Sequence, residues 1–439
     1  MSSHTLGGKW ERVQEWAAYN EEVPAEQYQK QDVPRPASVR VGFAWTLAGN
    51  ALYAATQWVT LSVVAKLGGR AMLGEYALAM AMTAPVAMLA HLNLRAVLAT
   101  DVEGRHRFND YLAVRFGVSG VALAVMGVMA LVLGGSGAMA AVIFLVGLAQ
   151  TSDTLSDGYY GAMQQREEMD RIARSMMARG VLSALAFGVV LWQTRNLVYA
   201  VGAMVLGRAC VLLVYDREPG GSPAGANWAG ARGILRQALP LGAVLMLVSL
   251  NTNLPRYAIE RSLGVAELGA FAAVASFVTA GSTIVNALGQ AATPRLARHA
   301  SRREAGEFLR LVAKLAALVL GLGLAGVGCA VVLGEWVLTL AYRPEYAAYN
   351  GLLVSVMGAA LLGYVAAAMG YAVTAARAFD AQVPMFGVVA LCTACASWVL
   401  VPRYGLSGAA MAMGLAAAAQ IVGQTFILSR ALGRLERAQ

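Results

Sequence analysis

The sequence predicts an all-α integral membrane protein: twelve spans in two six-helix lobes of similar plan. Three observations carry that prediction. Of the 439 residues, 13% are charged and 58% apolar, about half the charge that a soluble surface requires. Apolar stretches of about 20 residues, long enough to cross a hydrocarbon core, recur along almost the whole chain. A short pattern also occurs twice: Leu67-Gly68 followed by Leu73-Gly74-Glu75-Tyr76-Ala77, and Leu263-Gly264 followed by Leu268-Gly269-Ala270-Phe271-Ala272. The copies align with one residue gapped, and each follows the first long apolar segment of its half.

Taken in order, residues 1–40 form a polar, cytoplasmic N-terminal extension with Pro24, Pro34 and Pro36 and no signal-peptide pattern. It reads as a disordered tail, or as one carrying a short surface helix over 10–19. The first lobe covers 41–215, with spans at 41–66, 74–95, 111–134, 138–162, 175–193 and 197–215. A Gly/Pro-rich cytoplasmic linker, 216–236, separates it from the second lobe. That lobe, 237–430, has spans at 237–258, 268–291, 308–333, 350–374, 382–402 and 405–429, before a cytoplasmic tail at 431–439. Trp336, Tyr342 and Tyr346 make 335–346 an interfacial continuation of the ninth span.

Charge orients the bundle. The termini and even-numbered loops hold 23 Lys and Arg residues against 7 in the odd-numbered loops. The excess marks the cytoplasmic side and puts both termini there. The net charge of +9 is thus a topology signal, and no nucleic-acid partner is implied. The four cysteines fall inside apolar runs, so they form no disulfide framework. Cys392 and Cys395 lack the second ligand pair of a metal site. No nucleotide, zinc-hydrolase or serine-hydrolase motif occurs, and no sizeable extramembrane domain exists to carry chemistry. With no cofactor and no enzyme signature, transport is the function class that remains.

Polar residues at membrane depth are costly, so they mark interiors or wet cavities. Asn50, Tyr53, Gln57 and Thr60 fall within roughly 80° of one helix face, as do Gln150, Asp153, Asp157, Tyr160 and Gln164. Thr279, Thr283, Asn286 and Gln290 fall within roughly 60°. Three such stripes point to a shared polar cavity rather than to packing glue. Asp153 and Asp157 can receive a proton or Na⁺, or can pair with the deep Arg208, which otherwise needs an anion from the cargo. Near the end of the seventh span come Asn251, Asn253, Arg256 and Glu260, the last two one turn apart and able to pair, with Pro255 kinking the helix. Arg95 shares a face with His91 and either snorkels or meets cargo. Arg115, Arg179 and Lys314 lie near cytoplasmic span ends and are expected to snorkel.

Several segments together resemble the oligosaccharide/polysaccharide flippases of the MATE-like superfamily, which includes the O-antigen flippases. They are Leu73–Ala79, Asn93–Asp101, Phe108–Arg115, Leu155–Gly161 running into Gln164–Ala173, Leu254–Glu260 with Leu263-Gly264 and Leu268-Gly269, and Tyr371–Arg377. The likeness covers about residues 38–430. It implies two lobes in a V around a cavity that opens alternately to either side of the bacterial inner membrane. It implies a polyprenyl-diphosphate-linked oligosaccharide as cargo, coupling to an ion such as H⁺ or Na⁺, and glycan polymerase and glycosyltransferases as working partners. Arg95, Arg208 and Arg256 would meet the diphosphate, and the amide and carboxylate stripes would meet the sugars. A MATE-type exporter of organic cations would share the fold but needs a net acidic cavity. A lipid II flippase would imply fourteen spans. A membrane-embedded glycosyltransferase or polymerase would need a sizeable outer loop that the sequence lacks.

Overall fold

The computed structural model describes residues 39–101, 106–217, 223–376, 378 and 381–437. The expected N-terminal extension with its surface helix, part of the linker and Arg377 lie outside the described residues. The described chain is helical and contains no strand. In order come α1 (Val39–His91), α2 (Leu94–Thr100), α3 (Phe108–Leu133), α4 (Gly137–Gln165) and α5 (Met169–Thr194). Next is α6 (Leu197–Val211), extended by a π-helical turn over Leu212–Asp216. The second half holds α7 (Trp228–Leu263), α8 (Val265–Ser301), α9 (Ala305–Ala341), a 3-10 turn over Pro344–Tyr349, α10 (Asn350–Ala375) and α11 (Gln382–Arg437).

Among the described residues, ten continuous helical segments are long and apolar enough to cross a membrane, where the sequence predicts twelve spans. The difference lies in α1 and α11. At 53 and 56 residues, each would exceed about 75 Å if straight. Each instead breaks at one glycine held in a backbone conformation closed to other residues, Gly69 (φ 75°, ψ −171°) and Gly405 (φ 61°, ψ −142°).

Gly69 also corrects the register of the internal repeat. Its counterpart is Gly264 (φ 91°, ψ 170°), and Gly74 and Gly269 each follow five residues later, so the copies align from Gly69 without a gap. The two copies pack directly on each other. A Cβ on Gly74 would lie 1.8 Å from the carbonyl oxygen of Val265, and one on Gly269 would lie 2.0 Å from that of Arg70. Small residues at a membrane helix crossing permit this backbone approach. Leu73, Tyr76, Leu268 and Phe271, flanking the crossing, belong to the largest buried cluster.

The remaining packing respects the two halves. In the first, α1 packs on α4 and α5, α3 on α4, and α5 on α6; in the second, α7 and α10 pack on α11, and α9 on α10. The halves touch mainly through α1 against α8 and α7. Tyr257 on α7 donates to the Ala81 carbonyl at 2.5 Å. At the crossing, Arg70 donates to Tyr349 Oη at 2.5 Å, Tyr349 donates to Glu267 at 3.4 Å, and Arg343 donates to the Lys66 carbonyl.

Three local expectations change. Tyr342 and Tyr346 face protein rather than headgroups: they are 2% and 0% exposed, with ring centroids 5.2 Å apart in the join between the halves. The second span ends at His91, because Leu92 and Asn93 are left-handed (φ 50° and 51°) and turn the chain into α2, which carries Arg95. The seventh span starts at Trp228 rather than 237. Asn227 caps it by accepting from Ala229 N at 3.0 Å, and Asp110 accepts from Asn227 N at 2.6 Å. Arg232 and Arg236 had hidden that start in the hydropathy.

Gly74→Ala is expected to lower the thermal stability of the detergent-solubilised protein, since its methyl meets fixed backbone at a cost of order 1–3 kcal/mol or more. Gly120→Ala, whose added Cβ meets nothing within 4 Å, is the control, expected to be neutral or slightly stabilising by helix propensity.

Candidate functional site

A cavity of about 550 Å³ lies between the halves. From α1 it takes Tyr53, Gln57, Tyr76 and His91, and from α2 Arg95. Helix α4 contributes Gln150, Asp153, Asp157 and Tyr160, α5 Arg179, and α6 Arg208. Across from these, the second half supplies Arg256 from α7 and Ser276 and Thr279 from α8.

The four-residue spacing of Asp153 and Asp157 aims both carboxylates inward from α4, and each meets its own group of cations. Asp153 accepts from Arg208 at 2.5 Å, from Tyr53 Oη at 3.1 Å and from Arg179 at 3.4 Å. Arg179 also binds Asp216 at 2.6 Å and Tyr160 Oη at 2.8 Å. Ser175 joins Tyr160 and Asp216. Asp157 lies 3.1 Å from His91 Nε2, 3.3 Å from Arg115 and 3.6 Å from Arg95. Arg115 is anchored on the His91 carbonyl at 2.9 Å, and Arg95 on Gln164 at 2.8 Å.

The balance is basic. Arg95, Arg115, Arg179, Arg208 and Arg256 in and behind the wall face three carboxylates, Asp153, Asp157 and Asp216. Leaving His91 out of the count, two positive charges are in excess. Arg256 has no carboxylate within ion-pair distance among the described residues; it donates to Asn253 Oδ1 at 3.1 Å, not to Glu260. The Nε groups of Arg115, Arg179 and Arg208 are buried N–H donors with no partner in the protein. These guanidinium groups therefore retain hydrogen-bonding capacity that the protein itself does not fill.

Nine of the sixteen predicted residues line the cavity: Tyr53, Gln57, Arg95, Gln150, Asp153, Asp157, Tyr160, Arg208 and Arg256. Asn253 stands behind, positioning Arg256. The rest lie elsewhere. Asn50, Asn286 and Gln290 are exposed, and Glu260 is half-buried. Asn251 accepts from Thr393 on α11, and Thr283 donates to the Thr279 carbonyl. The eighth-span stripe therefore reaches the cavity only at Thr279.

Arg115 and Arg179 overturn the snorkelling expectation. They are 1% and 3% exposed because carboxylates on neighbouring helices hold them inside. Asp216, read as linker, is fully buried. The signals existed: Ser175, Arg179 and Ser183 form a four-residue polar rhythm on the fifth span, and Asp216 ends an unbroken apolar run.

Residues 39–299, more than half the chain, match the family described as "Polysaccharide biosynthesis protein". The chain belongs to the polysaccharide biosynthesis protein family. It is similar to the capsular polysaccharide biosynthesis protein CapF of Staphylococcus aureus, with 24% identity over 88% of this chain and 98% of that one. Its fold is that of an inward-facing multidrug resistance MATE family transporter of the MOP superfamily: TM-score 0.73, 12% identity, 88% of this chain and 95% of that one. The lipid II flippase MurJ, inward closed, overlays with TM-score 0.68 at 9% identity over 90% of both chains. This polysaccharide biosynthesis protein is thus a multi-pass membrane protein with a MATE-like fold.

Removing Arg179 strands Asp216 in a dry environment, where breaking a buried pair costs about 3–5 kcal/mol. Arg179→Ala is expected to lower the yield and melting temperature of purified protein, and Arg179→Met with Asp216→Leu to recover most of the loss. Unfolding followed in detergent by fluorescence checks both.

Proposed function

We propose that this chain flips a polyprenyl-diphosphate-linked oligosaccharide from the cytoplasmic to the outer leaflet of the bacterial inner membrane by alternating access. The single observation carrying this reading is the excess of arginine around an inter-lobe cavity, above all Arg256, which faces the cavity with no carboxylate of its own. A diphosphate needs such cations, whereas an organic cation would need the opposite balance. The family and the similarity to CapF support a glycan, and the flippase fold of MurJ supports a lipid carrier. The sugars would meet Gln57, Gln150 and Tyr160.

In this reading α1 and α11 each cross twice at their glycine breaks, giving twelve crossings, with both termini in the cytoplasm as the Lys/Arg bias requires. The lobes form a V, closed at the Gly74–Gly269 crossing on the outer side. Incoming phosphate oxygens compete with Asp153 for Arg208 and Arg179, and with Asp157 for Arg95. The released carboxylates can then take up H⁺ or Na⁺, which links cargo to an ion gradient. Glycosyltransferases supply the cargo and a glycan polymerase consumes it.

Arg208→Ala is expected to abolish glycan export and Arg208→Lys to keep part of it. Arg256→Ala is expected to lower export about tenfold or more, as truncation at a buried charged contact does. Export is read as surface glycan against inner-leaflet lipid-linked glycan at matched protein levels. Wild-type export by all three variants would dismiss the cargo assignment, and resistance to cationic drugs conferred by the wild type would favour a MATE-type exporter.

A further inference from the structure

A second cavity, of about 450 Å³, opens between α1 on one side and α8 and α9 on the other, at the end where the halves meet. Its walls are apolar, with Trp58 and Val59 facing Phe277 and Leu340. Val59 and Leu340 are 43% and 61% exposed, so the slot opens laterally, onto acyl chains once the protein is in a bilayer. Trp58 and Phe277 close its back, edge to face at 6.4 Å. Their chain neighbours Gln57 and Ser276 line the arginine-rich cavity, so this aromatic pair divides a wet compartment from an oily one.

The rim of the slot is cationic. Lys66 lines it and donates to the Leu340 carbonyl at 3.0 Å, which leaves two of its three N–H bonds unused. No carboxylate lies within ion-pair distance of Lys66 or Arg343 among the described residues. One turn before Lys66, Ser62 is 8% exposed and lines the slot. Its hydroxyl is buried with no partner in the protein. An apolar slot with a hydroxyl and an unpaired ammonium at its rim complements an amphiphile with a chain and an anionic head.

We propose that this slot binds one acyl chain of an anionic phospholipid of the surrounding bilayer, with its phosphate on Lys66. The divided compartments favour a bilayer lipid over the cargo's own chain, because Trp58 and Phe277 stand between the slot and the cavity assigned to cargo. The site stands apart from the cargo reading: export by Arg208 and Arg256 variants tests that one, and lipid retention tests this one.

The test is native mass spectrometry of the full-length protein in detergent, titrated with phosphatidylglycerol or phosphatidylcholine of identical acyl chains. Phosphatidylglycerol is expected to bind more tightly. Lys66→Gln should weaken it about fivefold, the worth of one basic residue near a charged lipid, while phosphatidylcholine is unaffected. Lys66→Arg should retain tight binding, and Val59→Trp, which fills the slot from its lipid-facing side, should weaken both lipids. Equal affinity for the two lipids in the wild type, or unchanged phosphatidylglycerol binding in Lys66→Gln, overturns the site. Displacement of phosphatidylglycerol by an equimolar polyprenyl phosphate overturns the choice of occupant.

Discussion

Everything in this molecule depends on how closely two backbones approach at Gly74 and Gly269. The nearest atoms to a Cβ at either position belong to the other half's main chain, so no side chain larger than hydrogen fits. Lipid tails supply no hydrophobic force between helices, and packing at such contacts must supply the cohesion. Because this crossing sits at one end of the bundle, the halves can join there and still enclose a cavity farther along α1, α4, α7 and α8. The Arg70, Tyr349 and Glu267 contacts reinforce the same end.

A second constraint acts on charge. Four arginines in and behind the first half's wall would repel each other in a low dielectric, and two aspartates a turn apart would do likewise. Interleaved, they hold each other in place: Asp153 between Arg208 and Arg179, Asp157 among His91, Arg95 and Arg115. The aspartates neutralise part of the arginine charge while no anion is bound and are the groups that an incoming phosphate would have to displace. The cluster is therefore a structural solution and, in the proposed function, a recognition surface as well; its charge is unequally divided between the halves. Around the cavity the first half holds nearly all of the charge, whereas the second offers one arginine, Arg256, with no carboxylate within ion-pair distance among the described residues. Opposed lobes of unequal polarity suit a cargo whose charged end docks on one of them.

Much of this was legible in the sequence because lipid imposes a strict rule: a segment that crosses a membrane must be long, apolar and helical. The same rule makes an intramembrane Asp or Arg conspicuous, which is why the α4 carboxylates and Arg208 stood out. Legibility failed where two signals cancel. Arg115 and Arg179 lie near span ends, where an arginine that snorkels and one that is buried look alike until its partner is known. Asp216 sits beside a Gly/Pro-rich stretch that masks its place on α6. Asn50, Asn286 and Gln290 share helix faces with lining residues, but a face shared over four turns extends beyond any one cavity.

By itself the sequence determined the membrane environment, the helical class and the stripes on α1 and α4. These depend on composition and on periodicity within a single helix, both local properties. Tertiary structure alone decided the register of the repeat, which rests on the backbone angles of Gly69 and Gly264, and the contact of Gly74 with Gly269. It also decided which cations meet which carboxylates, and that Arg256 meets none among the described residues. Those facts depend on distances between helices up to about 200 residues apart in the chain, and no local pattern encodes them.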